Sequence, residues 1–331
     1  MSAVSPLEVR RILFVRTDRM GDVLMNVPAI RSLRASFPKA WMTVLVDRSV
    51  APLLQGHPDI DEVMALDTGK LRKNFWTKAG LLAGISKIRY DMIVVSNPDK
   101  FMHAAGFLCG IPKRVGHDKK GSFWLTHRLD TSQLVSKHEI ERNLELVLLV
   151  GDRKGPGRFD LPVQESALKE VNLLLDRIPS RQPFVAVHTG TSNPAKRWAL
   201  DRFAGVCLRI QKDLDAHPVL IGGPEERAQA DALVKMCPSA PSDLVGRLSL
   251  GQLSALFATG RVRALLSADS GPVHVAWMHG TPVAVLYAKE AVGSDPARWG
   301  PVGTRSRAVF KPIGDISVDD AVAALREVLA P

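Results

Sequence analysis

Cysteine is nearly absent: Cys109, Cys207 and Cys237 are the only three among 331 residues. They are too few and too scattered for a disulfide framework, and no C-x-x-C pair exists to hold a structural zinc ion. No run approaches the ~18 apolar residues of a membrane-spanning helix. Met1 to Arg11 lacks the apolar stretch of a signal peptide, so a soluble cytoplasmic protein is expected. There is no low-complexity segment and no short-period repeat. No zinc-finger, basic-zipper or RNA-recognition signature occurs, and nucleic acid is not expected as a partner. What is present is ample apolar material: 46% hydrophobic residues and a mean hydropathy of +0.02, which excludes intrinsic disorder. The length exceeds one ordinary core and suggests two domains of roughly 150 residues each.

The charge needs explaining. Lys and Arg total 44 and Asp and Glu total 34, a net of +10. Residues 1–165 hold 25 basic and 18 acidic side chains, or +7, while residues 166–331 hold 19 and 16, or +3. Such an excess suits nucleic acid, an anionic membrane surface or an anionic small substrate.

Strand and helix patterns alternate along the chain. Arg11–Arg16 reads as an apolar strand, followed by a loop, Thr17–Asp22, and a helical pattern from Val23 to Phe37. Trp41–Val46 and Asp91–Ser96 read as further strands. Gly151–Gly157, Gly-rich and charged, reads as a linker. Helix is expected from about Val163 to Ile178. The rhythm then restarts with strand Phe184–His188, helix Leu200–Leu214, strand Pro218–Ile221 and helix Glu225–Met236. Strand Ala264–Ala268, helix Val273–Met278, strand Pro282–Tyr287 and a last helix, Val318–Leu329, complete it. Alternation of this kind implies parallel sheets with βαβ crossovers, and ligands outside the carboxyl ends of the strands.

Four strand-end loops carry residues suited to chemistry. In Thr17–Asp22, Gly21 permits close backbone approach. Asp22 is either an N-cap or a general base, with Asp18 its rival. His188–Trp198 combines Gly190, the hydroxyls of Thr189, Thr191 and Ser192, and the cations Lys196 and Arg197. That is a phosphate cradle in composition, or a solvated loop; the G-x-x-x-x-G-K-[ST] motif is absent. Gly222–Arg227 places Glu225 and Glu226 after two glycines, either to suit a helix dipole or to hold ribose hydroxyls. Ala268–His274 sets Ser270 or Gly271 to cap a helix with Pro272 at its start, where a diphosphate could bind. His274 faces the same ligand or fills the core.

With these motifs in view, the chain resembles glycosyltransferase family 9, the ADP-heptose:lipopolysaccharide heptosyltransferase type. The resemblance covers nearly the whole chain and rests on an ordered set. Its members are Arg16–Val23 with Val27–Ile30, Glu141–Leu144, Gly190–Ser192 with Lys196–Trp198, Gly222–Glu225, Asp269–His274 and Arg298–Pro301.

The resemblance implies an α/β GT-B fold, two Rossmann-like domains facing each other across a cleft. An acceptor domain over 1–162 would precede a nucleotide-sugar domain over 163–316, and the helix in 317–331 would pack back on the first. It also implies inverting transfer of heptose from ADP-heptose to an inner-core lipopolysaccharide sugar. Asp22 would be the general base, and Asp18, Arg19, Met20 and Gly21 would line the acceptor. Thr191, Ser192, Lys196, Asp269, Ser270, Gly271 and His274 would hold the donor, and Glu225, or alternatively Glu226, its ribose. The ADP-sugar is a co-substrate, and no metal or other cofactor is implied. The formal D-x-D of Asp59–Asp61 sits in a polar turn.

The implied partners are a nucleotide-sugar donor and an anionic lipid-linked saccharide acceptor at the cytosolic face of the inner membrane. The basic excess of the first half would serve them. Two features depart from the family: Ser270 stands where Thr is frequent, and Val275–Met278 is bulkier than the usual Ala-rich helix. Rival readings are another nucleotide sugar or acceptor, a non-hydrolysing sugar epimerase, and a non-catalytic nucleotide-binding protein.

Overall fold

The computed structural model describes residues 9–119, 121–152, 159–303 and 305–330. The expected linker, Gly151–Gly157, falls outside these from 153 onward. The chain divides into two compact units, Met1–Pro162 and Val163–Pro331.

The first unit contains β1 (Arg11–Arg16), α1 (Met20–Leu24), α2 (Val27–Ser36), β2 (Trp41–Asp47), β3 (Glu62–Leu66), α3 (Thr68–Lys73) and α4 (Phe75–Ile88). It continues with β4 (Met92–Val95), α5 (Lys100–Leu108), β5 (Lys113–His117), β6 (His127–Leu129) and α6 (Glu139–Val147). Its six strands lie in the order β3-β2-β1-β4-β5-β6, with every neighbouring pair parallel. Ile12, Leu13, Phe14 and Val15 of the central strand are fully buried, as a sheet covered on both faces requires of a continuous apolar run.

The second unit contains α7 (Glu165–Asp176), β7 (Phe184–His188), α8 (Leu200–Asp213), β8 (His217–Ile221), α9 (Arg227–Met236), β9 (Ser242–Asp243) and α10 (Leu250–Ala258). After these come β10 (Val262–Ala268), α11 (Gly271–Met278), β11 (Val283–Ala288), α12 (Pro296–Trp299), β12 (Ser306–Lys311) and α13 (Val318–Leu329). Its order, β12-β11-β10-β7-β8-β9, is again all parallel and repeats the first unit's winding. Each sheet therefore has a topological switch point, between β1 and β4 in one and between β7 and β10 in the other. In open parallel sheets the carboxyl edge at that point is where ligands bind.

Two expectations are corrected. The helix foreseen over Val23–Phe37 is two helices, because Pro28 has no N–H to donate to the preceding turn and so marks a new start. The last helix, expected to return to the first unit, is part of the second unit's own core. Ala321, Val322, Leu325 and Val328 of α13 are buried in one cluster with Phe203 and Ile210 of α8 and Leu286 of β11. Ser317 starts α13 with a capping box to Asp320, and the Trp198 indole donates to the Ile316 carbonyl at 2.9 Å. Leu325→Ala is expected to destabilise the protein by about 2–5 kcal/mol. Urea denaturation measures this, and a loss below about 1 kcal/mol would contradict the burial.

Candidate functional site

At the first switch point the apolar run of β1 ends in a cation, Arg16, whose side chain is 5% exposed. Its guanidinium is shared. It donates to Asp18 Oδ1 at 2.7 Å, to Asp22 Oδ1 at 3.1 Å and to the Ser96 carbonyl at 2.9 Å, and lies 3.9 Å from Glu139 Oε1. Glu139 also pairs with Arg142 at 3.3 Å. Around them the polar groups interlock. Ser96 Oγ donates to Asn26 Oδ1, Asn26 Nδ2 donates to the Asp22 carbonyl at 2.7 Å, and Asn143 Nδ2 donates to the Met25 carbonyl at 3.2 Å. Burial holds the His117 imidazole down at about 4, so the ring is neutral and donates Nε2–H to the Ser96 carbonyl at 2.8 Å.

Asp22 is not an N-cap. Arg19 occupies that position without a side-chain bond, and Asp22 sits in the first turn of α1, its carboxylate turned to Arg16. Its pKa is pushed up from 3.8 to about 6. Loss of hydration on burial is the largest cause; Asp18 adds to it, Arg16 opposes it, and Glu139 adds again. A carboxylate so poised can accept a proton near neutral pH. Of the residues expected to line the acceptor, Asp18 is tied to Arg16, Arg19 is exposed, and Met20 and Gly21 are half-buried beside Asp22.

At the second switch point Lys196 and Asp269 meet. Lys196 is 8% exposed, and its Nζ donates to Asp269 Oδ2 at 2.5 Å and to the Gly293 carbonyl at 3.1 Å. The Ser270 hydroxyl does not cap α11. It bonds instead to Ser267 Oγ at 2.9 Å and His188 Nδ1 at 3.2 Å. His188 Nε2 lies 3.2 Å from Glu226 Oε2, which also accepts from the Gly223 N–H at 3.0 Å. A Cβ built on Gly190 would stand 1.2 Å from Glu226 Oε1, and one on Gly222 would stand 2.1 Å from Oε2. A side chain at either position would push this carboxylate away from His188 and the Gly223 N–H. Burial works against the Glu226 charge, but the His188 bond and charge outweigh it and hold its pKa below the ordinary value.

Glu225, by contrast, is exposed. Thr191 Oγ1 accepts from the Asn193 N–H at 3.3 Å, Ser192 is exposed, and Gly271 and Pro272 begin α11. His274, in the same helix, is buried. The start of α11 aims its positive dipole end at the edge where Lys196 lies.

The Asp59 and Asp61 carboxylates are taken by α2: Arg31 pairs with Asp59 at 3.0 Å, and Arg34 pairs with Asp61. Sequence reasoning missed Arg16, Ser96, Asn26, His117 and Glu139 as parts of the first site. One signal was available, a cation directly after the four-residue apolar run Ile12–Val15. Glu139 lay two residues outside the Glu141–Leu144 motif, whose own Glu141 is exposed.

Each unit is thus a Rossmann-like α/β layer, two of which make up the GT-B fold class, with polar groups gathered at its switch point. The model of the family described as Glycosyltransferase family 9 (heptosyltransferase) matches residues 81–318, and the chain belongs to that family. It is 25% identical over 293 residues to lipopolysaccharide heptosyltransferase 3 of Escherichia coli K12, covering 85% of this chain and 82% of that one. Among solved structures, a glycosyl transferase family 9 protein from Veillonella parvula superposes with a TM-score of 0.89 at 20% identity over 99% of both chains. The E. coli ADP-heptose lps heptosyltransferase II gives 0.81 at 21% identity over 96% and 98%.

The raised pKa has a stability consequence. The folded protein binds the Asp22 proton more tightly than the unfolded chain, so stability falls as pH rises from 3.8 to about 6. Asp22→Asn removes that loss and is expected to stabilise the protein at pH 8 by at most about 3 kcal/mol, with the difference vanishing near pH 4. Urea titrations of both proteins at the two pH values test this. A variant no more stable than the parent at pH 8 would contradict the assigned shift.

Proposed function

We propose that the protein is an inverting glycosyltransferase that moves heptose from ADP-heptose to a sugar of the lipopolysaccharide inner core, with Asp22 as general base. The observation that carries the reading is a single carboxylate raised to about 6 at the first unit's switch point. A buried cation, Lys196, at the corresponding point of the second unit complements it. Family membership, together with the lipopolysaccharide heptosyltransferases among its relatives, supports the sugar and the acceptor.

Asp22 takes the proton of an acceptor hydroxyl, and that oxygen attacks the anomeric carbon from the face opposite ADP. Positive charge grows in the sugar ring, and the bond to the diphosphate oxygen breaks. Negative charge then gathers on the departing ADP, where Lys196 and the start of α11 at Ser270–Gly271 stabilise it. Asp269 orients the Lys196 ammonium, and Thr191 and Ser192 offer hydroxyls beside it.

Glu226 is engaged with His188 and Gly223, so we assign the ribose diol to Glu225 and the propping of the loop to Glu226. His274 completes the donor side. Asp18, Arg19, Met20 and Gly21 bound the acceptor around Asp22. The ADP-sugar is the only small-molecule co-substrate in this proposal. The acceptor is lipid-linked and anionic, so the protein would work peripherally at the cytosolic face of the inner membrane. No helix among the described residues is long and apolar enough to cross it.

Asp22→Ala is expected to lower kcat by about 10²- to 10⁴-fold. ADP should still raise the melting temperature of the variant as it does that of the parent, with UDP giving a smaller shift. Transfer assays with ADP-heptose and a panel of truncated lipopolysaccharide acceptors measure the first, and thermal melts the second. Near-normal transfer by Asp22→Ala would remove the base assignment, and no product with any acceptor would remove the substrate assignment.

A further inference from the structure

Residues 68–90 contain six Lys and Arg and no Asp or Glu, so this one segment carries more than half of the chain's net +10. They form α3 and α4, which leave the carboxyl end of β3. Because the sheet is parallel, that is the edge on which β1 delivers Asp22.

Between the two helices, Asn74 Oδ1 accepts from the Trp76 N–H at 2.8 Å and the Thr77 N–H at 3.4 Å, fixing the start of α4. Two aromatic side chains occupy that first turn, Phe75 at 72% and Trp76 at 78% exposure. They pack edge-to-face on each other at 5.6 Å. Lys70, Arg72 and Lys73 are exposed on α3, and Lys78 lies 5.7 Å over the Phe101 ring. Of the fourteen residues of α4 only Ile85 is buried, and its outward face runs Trp76, Gly80, Ala83, Gly84 and Lys87. The flanking acids are engaged: Asp67 accepts from the Lys70 N–H at 2.9 Å and pairs with Arg48 at 3.3 Å. Asp91 accepts from the N–H groups of Arg10 and Arg11.

An exposed aromatic pair is costly in water, and a cationic surface without compensating acids calls for anions. A bilayer with anionic headgroups meets both needs at once, offering apolar depth to rings and negative charge to the surrounding cations. We propose that α3 and the first turn of α4 seat the first unit on an anionic lipid surface. Phe75 and Trp76 enter the interfacial layer, and Lys70, Arg72, Lys73 and Lys78 contact headgroups. The inference deepens the proposed lipid-linked acceptor by naming the segment that brings the Asp22 edge to the membrane. Its test contains no sugar, so either can fail without the other.

The test is co-sedimentation of the full chain with phosphatidylglycerol/phosphatidylcholine vesicles and with phosphatidylcholine alone, at low and high salt. The protein should partition onto the anionic vesicles only, and less so as salt rises. Phe75→Ser with Trp76→Ser, and separately Lys70→Gln with Arg72→Gln and Lys73→Gln, should each cut partitioning by about tenfold or more. Lys169→Gln with Lys212→Gln and Lys235→Gln removes the same charge from the second unit and should leave it nearly unchanged. Lipid should blue-shift tryptophan emission in the parent but not in Trp76→Phe. Melting temperatures of all variants should match the parent, since the altered side chains are exposed. No binding by the parent, equal binding by the first two variants, an equal loss in the second-unit control, or preference for an anionic oligonucleotide over the vesicles would overturn the inference.

Discussion

The arrangement of the first unit depends on one buried guanidinium. Three carboxylates, Asp18, Asp22 and Glu139, converge on Arg16 at the carboxyl end of the central strand. Without a cation they could not share so dry a place, because buried charge must be paired. Arg142 shares Glu139 with it at 3.3 Å. Poor hydration first, and then repulsion from Asp18 and Glu139 that Arg16 only partly offsets, keep a proton on Asp22 to unusually high pH. Arg16 also donates to the Ser96 carbonyl just beyond β4, so the group that tunes the carboxylate also ties together the two strands of the switch point.

The second unit repeats the winding and changes the chemistry. Its switch point carries a cation matched to a single acid, Lys196 with Asp269, beside a helix start. That is an edge suited to receive negative charge, as the first is suited to receive a proton. Glu226 is held against the strand ends by His188 and the Gly223 N–H, in space that side chains at 190 and 222 would fill. Glycine at these positions leaves the carboxylate room to keep both partners, independent of any ligand.

Much of this was legible from the chain. The apolar runs of β1, β7 and β10 and the small, polar loops after them gave the alternating α/β reading and placed Asp22, Lys196, Asp269 and Ser270 at strand ends. Other features depend on distance in space. Glu139 reaches Arg16 across more than a hundred residues of sequence, and Asn26, Ser96 and Asn143 join through a fold that no local pattern encodes. The choice between N-cap and site carboxylate at Asp22 was equally non-local, since it turns on where the Arg16 side chain goes. Strands β3, β5, β6, β9 and β12 escaped the reading because they are short or carry polar and half-exposed residues that weaken the apolar signal. The destination of α13 was misjudged because an amphipathic helix shows that it has a buried face, not which sheet buries it.

The central claim is that a carboxylate made reluctant to ionise by its surroundings removes the acceptor proton. The pH dependence of kcat/KM for heptose transfer tests it most directly, because that profile reports the ionisation of the free protein's essential base. The account predicts activity that falls tenfold per pH unit below about 6, the value assigned to Asp22, and levels off above it. A profile that stays flat down to pH 4 would contradict it.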